Sequence, residues 1–245
     1  MTDRRNTSIY TDAPYEVRQD LVEIHAAQLE NLALPGTWGT GAQRLAVAGT
    51  ARHAGIDAGI LEASDQHQAM PDVALPDTVK TFIRQLAVTP KDVDEAACDD
   101  ARSDGLSDEE YVEIVGIVSR MVNIDIFARG IGAQLPPLPS PRAGQPTRIR
   151  PASAVHEHAI VPTVPNAPEG GDDAQELYGG KWQPYIMRAL SLVPGELRDH
   201  LELEEVQYMP MSKVMVPDHQ HHVGVTRAQA EVVAGRVSAI NECFF

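Results

Sequence analysis

The chain has 245 residues, 43% hydrophobic and 22% charged, enough apolar material to bury one or two cores and too much for a disordered chain. Its 35 acidic and 20 basic side chains give a formal charge of -15, the wrong sign for wrapping nucleic acid or lying on an anionic membrane. No apolar run approaches the ~18 residues of a membrane span, and the opening Met1-Thr2-Asp3-Arg4-Arg5 lacks a secretion signal, so a cytoplasmic protein without membrane or nucleic-acid partners is expected.

Aromatic residues make up only 5% of the chain, and alternating runs of Val, Ile and Thr are absent, which predicts an all-α protein. Asp12 as N-cap with Pro14 in the first turn opens a helix through Val17, Leu21, Ile24, Leu29 and Leu32, ended by Leu34-Pro35-Gly36. Thr40 with Gln43 has capping-box spacing and begins a second helix running towards Gly55. Val79, Phe82, Ile83 and Leu86 mark a third, between Pro76 and Pro90.

Ten of the 22 residues from 92 to 113 are acidic, which reads as a solvated connection leading into the negative first turn of a helix. Ser107 with Glu110 is the second capping-box spacing, and Val112, Val115, Val118, Val122 and Ile126 carry a long helix to Gly130 or Gly132. Half of the 18 prolines then fall between 136 and 168, in a linker or a strap laid over a surface. Helical spacing resumes at Tyr185, Ile186, Ala189 and Leu190, and Pro194 starts a helix through Leu197, Leu201 and Val206. After a polar loop, Thr226 and Gln229 supply a third capping-box spacing before the last helix. Trp38 and Trp182 are expected to anchor packing at segment starts.

An internal repeat organises these elements. Residues 40–49 align with 226–235 at a constant offset of 186, with six identities in ten positions. The offset sets Leu45 opposite Glu231 and Asp57 opposite Cys243. The expected organisation is a first helical domain over 1–135, a proline-rich linker over 136–178, and over 179–245 the N-terminal part of a second helical domain. Its apolar end, Val237 through Cys243-Phe244-Phe245, has no glycine stop or polar tail and looks cut within an element, since Phe244 and Phe245 would expose apolar area or bury the terminal charge.

The segment Gln229-Ala-Glu231-Val-Val-Ala-Gly-Arg-Val-Ser-Ala-Ile-Asn241-Glu-Cys243 resembles the active-site segment of the alkyl hydroperoxidase D and carboxymuconolactone decarboxylase superfamily. Its redox branch has a glutamate, eleven residues, then Cys-x-x-Cys and a histidine four positions on; Glu231 and Cys243 match that spacing. The run from Gly105 to Gly132 is similar to the superfamily's closing helix, and Leu190-Ser-Leu-Val-Pro194 to its peroxidase-related members. The likeness is diffuse over 14–132 and 180–245 and specific in the last fifteen residues or so. It implies a duplicated helical fold, a peroxide substrate, a thiol reductant, no cofactor or metal, and a homo-oligomer, with Cys243 and Glu231 as catalytic residues. The second redox residue would be position 246 and the histidine position 250. Some relatives have selenocysteine at the former, so the expectation is a selenoprotein cut at its UGA codon and weakly active or inactive as given. The first copy has Asp57 in place of sulfur, which implies a structural duplicate.

Peroxide reduction requires a thiolate, and a free cysteine near its reference pKa of about 8.5 is mostly protonated at neutral pH. Asn241 as the cap of a fresh helix would set Cys243 in a first turn, where N–H groups stabilise the anion. Twelve residues at about 100° set Glu231 roughly 120° from Cys243 on a straight helix, so a bend at Asn241 is needed for general-base contact. Cys98, beside Asp99 and Asp100, reads as a bystander, because carboxylates oppose thiolate formation. His219, His221 and His222 match no metal signature and read as loop residues. Two other functions fit the same residues: a non-redox decarboxylase using a general base, and a catalytically silent helical oligomeric scaffold.

Overall fold

The computed structural model describes residues 9–63 and 73–243. Among them the chain is helical without a strand; one isolated antiparallel bridge joins Val155 and Thr163. The helices are α1 (Gln19–Leu32), α2 (Gly41–Asp57), α3 (Asp77–Val88), α4 (Glu95–Arg102), α5 (Asp108–Gly130), α6 (Gly171–Tyr178), α7 (Tyr185–Arg188), α8 (Pro194–Gln207) and α9 (Arg227–Ile240). None is long and apolar enough to cross a membrane.

All three capping boxes form: the side chains of Thr40, Ser107 and Thr226 accept from the N3 amides of α2, α5 and α9, while Gln43, Glu110 and Gln229 reach back to the cap amides. α2 and α9 therefore start 186 residues apart, in register with the repeat. α5 is the axis of the molecule. Asp108, Glu109 and Glu110 fill its first turn and Arg129 its last, matching the helix dipole at both ends. Its end is a Schellman turn: Gly132, at φ 74°, donates to Arg129 O, and Ala133 donates to Ala128 O.

α2 and α3 pack on α5, α8 packs on both α1 and α5, and α4 closes against α3 and α5. One apolar core runs through Leu32, Leu45, Ile83, Ile117 and Met121 and continues into Val164, Tyr178, Leu192 and Leu197. The core thus crosses the boundaries read from the sequence at 135 and 179. The segment between them is a strap whose amides at Arg142, Thr147 and Arg148 donate to the carbonyls of Ala33, Gly36 and Thr37. Its Val161 and Val164 enter the core.

Four local expectations are corrected. Asp12 does not cap α1, which begins at Gln19; its carboxylate instead accepts from Gln134 N at 2.8 Å, holding the N-terminal segment beside the end of α5. The acidic run is not wholly solvated: Asp94 caps α4, and Glu113 is buried. The helical spacing at 185–190 yields only the single turn of α7, and α8 starts separately at Pro194. Trp182 is 74% exposed and anchors nothing. Residues 244 and 245, on which the cut-element expectation partly rests, lie outside the described residues.

Candidate functional site

α9 carries Glu231, and Cys243 lies three residues past its end. None of its residues is buried, and Val232, Val233, Val237 and Ile240 are exposed. Polar contacts hold it in place. The Arg227 guanidinium donates to the carbonyls of Lys213, Val214 and Val216 and pairs with Glu231, which also accepts from Tyr208 Oη at 2.8 Å. The Tyr208 hydroxyl and then the Arg227 guanidinium hold the Glu231 carboxyl below the usual carboxylate range, so it is ionised at neutral pH. Lys91 pairs with Glu242 at 3.2 Å just past the far end.

Asn241 does not cap a new helix; it ends α9. Glu242, at φ 50°, donates to Ala239 O, and Cys243 N donates to Ser238 O at 2.9 Å, the Schellman pattern again but with a non-glycine at its left-handed position. Cys243 is exposed and follows a helix C-terminus, where carbonyl groups rather than amides gather. Nine residues of helix at 1.5 Å each set Glu231 about 14 Å along the axis from Ile240. Glu231 on α9 and Cys243 beyond its end therefore do not touch. Cys98 is sealed in the core with its sulfur 3.1 Å from Tyr111 Oη. His221 Nε2 meets Val206 O at 2.9 Å and His222 Nδ1 meets Arg18 Nη1 at 2.8 Å. Among the described residues no three His, Cys, Asp or Glu side chains converge as a metal cage.

The densest polar chemistry lies elsewhere. A chain of charges, buried from Glu113 to Arg120 and half-buried at Asp199, runs Glu113–Arg44–Glu196–Arg120–Asp199. Arg44 stands 3.5 Å from Glu113 and 2.9 Å from Glu196, and Arg120 pairs with Glu196 and, at 3.0 Å, with Asp199. Arg120, 0% exposed, also donates to Gln28 Oε1 at 2.7 Å. Glycines make room for these carboxylates: a Cβ at Gly116 would meet Glu196 Oε2 at 2.5 Å, and one at Gly36 would meet Glu113 Oε1 at 1.8 Å. Glu113 Oε2 accepts from the amides of Trp38 and Gly39 at 2.8 and 2.7 Å. Three carboxylates face two guanidiniums. Burial, and next the charge of Glu196, raise the Glu113 carboxyl above its ordinary range; burial likewise raises Asp199.

Two further buried polar pairs flank this chain. Arg52 grips Asp125 through two hydrogen bonds at 2.9 and 2.7 Å. His25 Nδ1 meets Tyr10 Oη at 2.7 Å and its Nε2 meets Gln207 Oε1 at 3.1 Å, and burial lowers its pKa. Sequence reading missed all of these residues. The available signal was charge on an apolar face: Glu113, Gly116 and Arg120 lie three, four and seven apart on α5, among buried Val112, Ile117 and Met121.

Comparison of the chain with protein-family models, with curated proteins and with solved structures returned no match.

Proposed function

We propose that this chain is a weakly active thiol peroxidase-type oxidoreductase related to alkyl hydroperoxidase D, reacting with hydroperoxides through Cys243 Sγ and recycled by a small thiol. The observation that supports this most is the contrast between its two cysteines. Cys98 is sealed in the core, whereas Cys243 is exposed at the end of a helix that carries Glu231 at the redox-branch spacing. In the reaction the thiolate attacks the distal oxygen of the hydroperoxide, the O–O bond breaks, and the proximal oxygen leaves as an alcohol after taking a proton. Sulfur is oxidised to a sulfenic acid as the peroxide is reduced. One thiol condenses with it, releasing water and forming a mixed disulfide, and a second thiol restores Cys243.

Glu231 is ionised, but its Tyr208 and Arg227 contacts make it a weaker base than a free carboxylate, and a helix length separates it from Cys243 in this arrangement. General-base contact therefore requires the turn at 241–243 to open towards α9. The exposed valines of α9 support a homo-oligomer as the working form, in which that face is covered.

The test is to treat the protein with an excess of cumene hydroperoxide and the sulfenic-acid trap dimedone, then map the adduct by mass spectrometry. The adduct is expected on Cys243 and not on Cys98, and Cys243→Ser should abolish it. An unmodified Cys243, or equal labelling of the two cysteines, would refute the reading.

A further inference from the structure

Between the start of α2, the segment entering α3 and the first turns of α5 lies a cavity of about 240 Å³. Val47, Leu75, Val79, Ile114 and Ile117 make its walls, and Trp38, Arg44 and Glu113 supply polar groups. An apolar cavity of about 150 Å³ already accepts a benzene ring. This one is large enough for a six-membered ring with a one-carbon head.

The polar groups are incompletely used. Trp38 Nε1, Arg44 Nε and Glu113 Oε1 are buried and have no hydrogen-bond partner among the described residues; the latter two face each other at 3.5 Å as an ion pair without a hydrogen bond. Arg44 and Glu113 are 3% and 2% exposed, so bulk water does not serve them. Left unpaired, such atoms lose the hydration they had in the unfolded chain. The set amounts to two donors and one acceptor. A hydroxyl is its complement, with one O–H to donate and two lone pairs to accept.

Charge separates the candidate heads further. The guanidinium of Arg44 is already engaged by Glu113 and Glu196, and Asp104 and Glu110 add negative charge at the cavity wall, which opposes an anionic head. An ammonium head can only donate, so it leaves Trp38 Nε1 and Arg44 Nε unpaired and approaches a guanidinium.

We propose that this cavity binds a small neutral molecule with a ring-sized apolar body and a hydroxyl head, the hydroxyl donating to Glu113 and accepting from Trp38 and Arg44. The site is independent of Cys243 and of the peroxidase reading.

Three probes share one body and differ in the head: cyclohexylmethanol, cyclohexylmethylammonium and cyclohexanecarboxylate. Trp182→Phe, a change at an exposed side chain, leaves Trp38 as the sole indole, whose N–H resonance reports on the cavity by NMR. The alcohol is expected to shift that resonance saturably and to bind at least about ten-fold more tightly than either charged analogue. Leu75→Phe, which narrows the cavity without adding an indole, should weaken alcohol binding about ten-fold. No saturable shift with the alcohol, a charged analogue binding as well or better, or undiminished binding in Leu75→Phe would overturn the assignment. The titration of the unobstructed protein stands on its own if Leu75→Phe does not fold.

Discussion

α2 and α9 begin with the same cap and share six of their first ten aligned residues, yet they live in different surroundings. α2 buries eleven residues against α3 and α5; α9 buries none. Where α2 has Arg44 and Leu45, both buried, α9 has a half-buried Ala230 and an exposed Glu231. Local sequence thus decides that a helix starts and where, while residues far away decide whether it becomes core. The capping box acts over four residues and works equally in both places. The burial of α2 depends on α5, which lies more than fifty residues further along the chain.

If this contrast is sound, equivalent changes in the two helices must have unequal effects. The largest is expected at Arg44, which has no charged counterpart in α9. Arg44→Ala leaves Glu113 and Glu196 buried without their cation and should cost about 3–5 kcal/mol in urea unfolding. The next comparison is Val47 with Val233, its repeat equivalent. Val47→Ala should cost about 2 kcal/mol, since that side chain is 4% exposed, whereas Val233→Ala, at 63%, should stay within about 0.5 kcal/mol at dilutions where the homo-oligomer has dissociated. Equal losses would mean that α9 is covered in solution.

The caps sharpen the comparison. Thr40→Ala should lower global stability by about 1 kcal/mol; Thr226→Ala should leave the melting temperature unchanged and speed amide hydrogen exchange in α9 alone. The smallest effect concerns His25, on the α1–α8 side of the molecule. Its folded pKa lies below the unfolded value of about 6.5, so the unfolded chain binds the extra proton first, and stability falls as pH drops from about 6.5 towards the folded value. His25→Gln removes that component, and unfolding midpoints measured from pH 7 to 5 should slope less steeply than in the wild type.

What could be read from the sequence follows the same division. The caps at Thr40, Ser107 and Thr226, Pro194 at the start of α8 and the stop of α5 at Gly132 were legible because each is settled within a few neighbours. α4 was hidden because its acidic residues mask a short helix capped by Asp94. Glu113 was counted with that solvated run, although its charge is held by amides 74 and 75 residues away and by a guanidinium. The Arg44–Glu196 pair spans 152 residues, and no spacing rule within one helix reaches across that distance. At the candidate site the sequence named Cys243 and Glu231 but set the cysteine in the first turn of a fresh helix; its exposed place after the end of α9, in the turn at 241–243 a helix length from Glu231, was not legible. It depends on Glu242 taking a left-handed conformation that glycine usually supplies.

The most direct test of the functional account is the second-order rate constant for a single oxidation of Cys243 by cumene hydroperoxide, measured in the wild type and in Glu231→Gln. The account predicts a wild-type rate modestly above that of free cysteine, about two- to three-fold, that falls to the free-cysteine value in the variant. A wild-type rate equal to that of free cysteine, unchanged by Glu231→Gln, would contradict it.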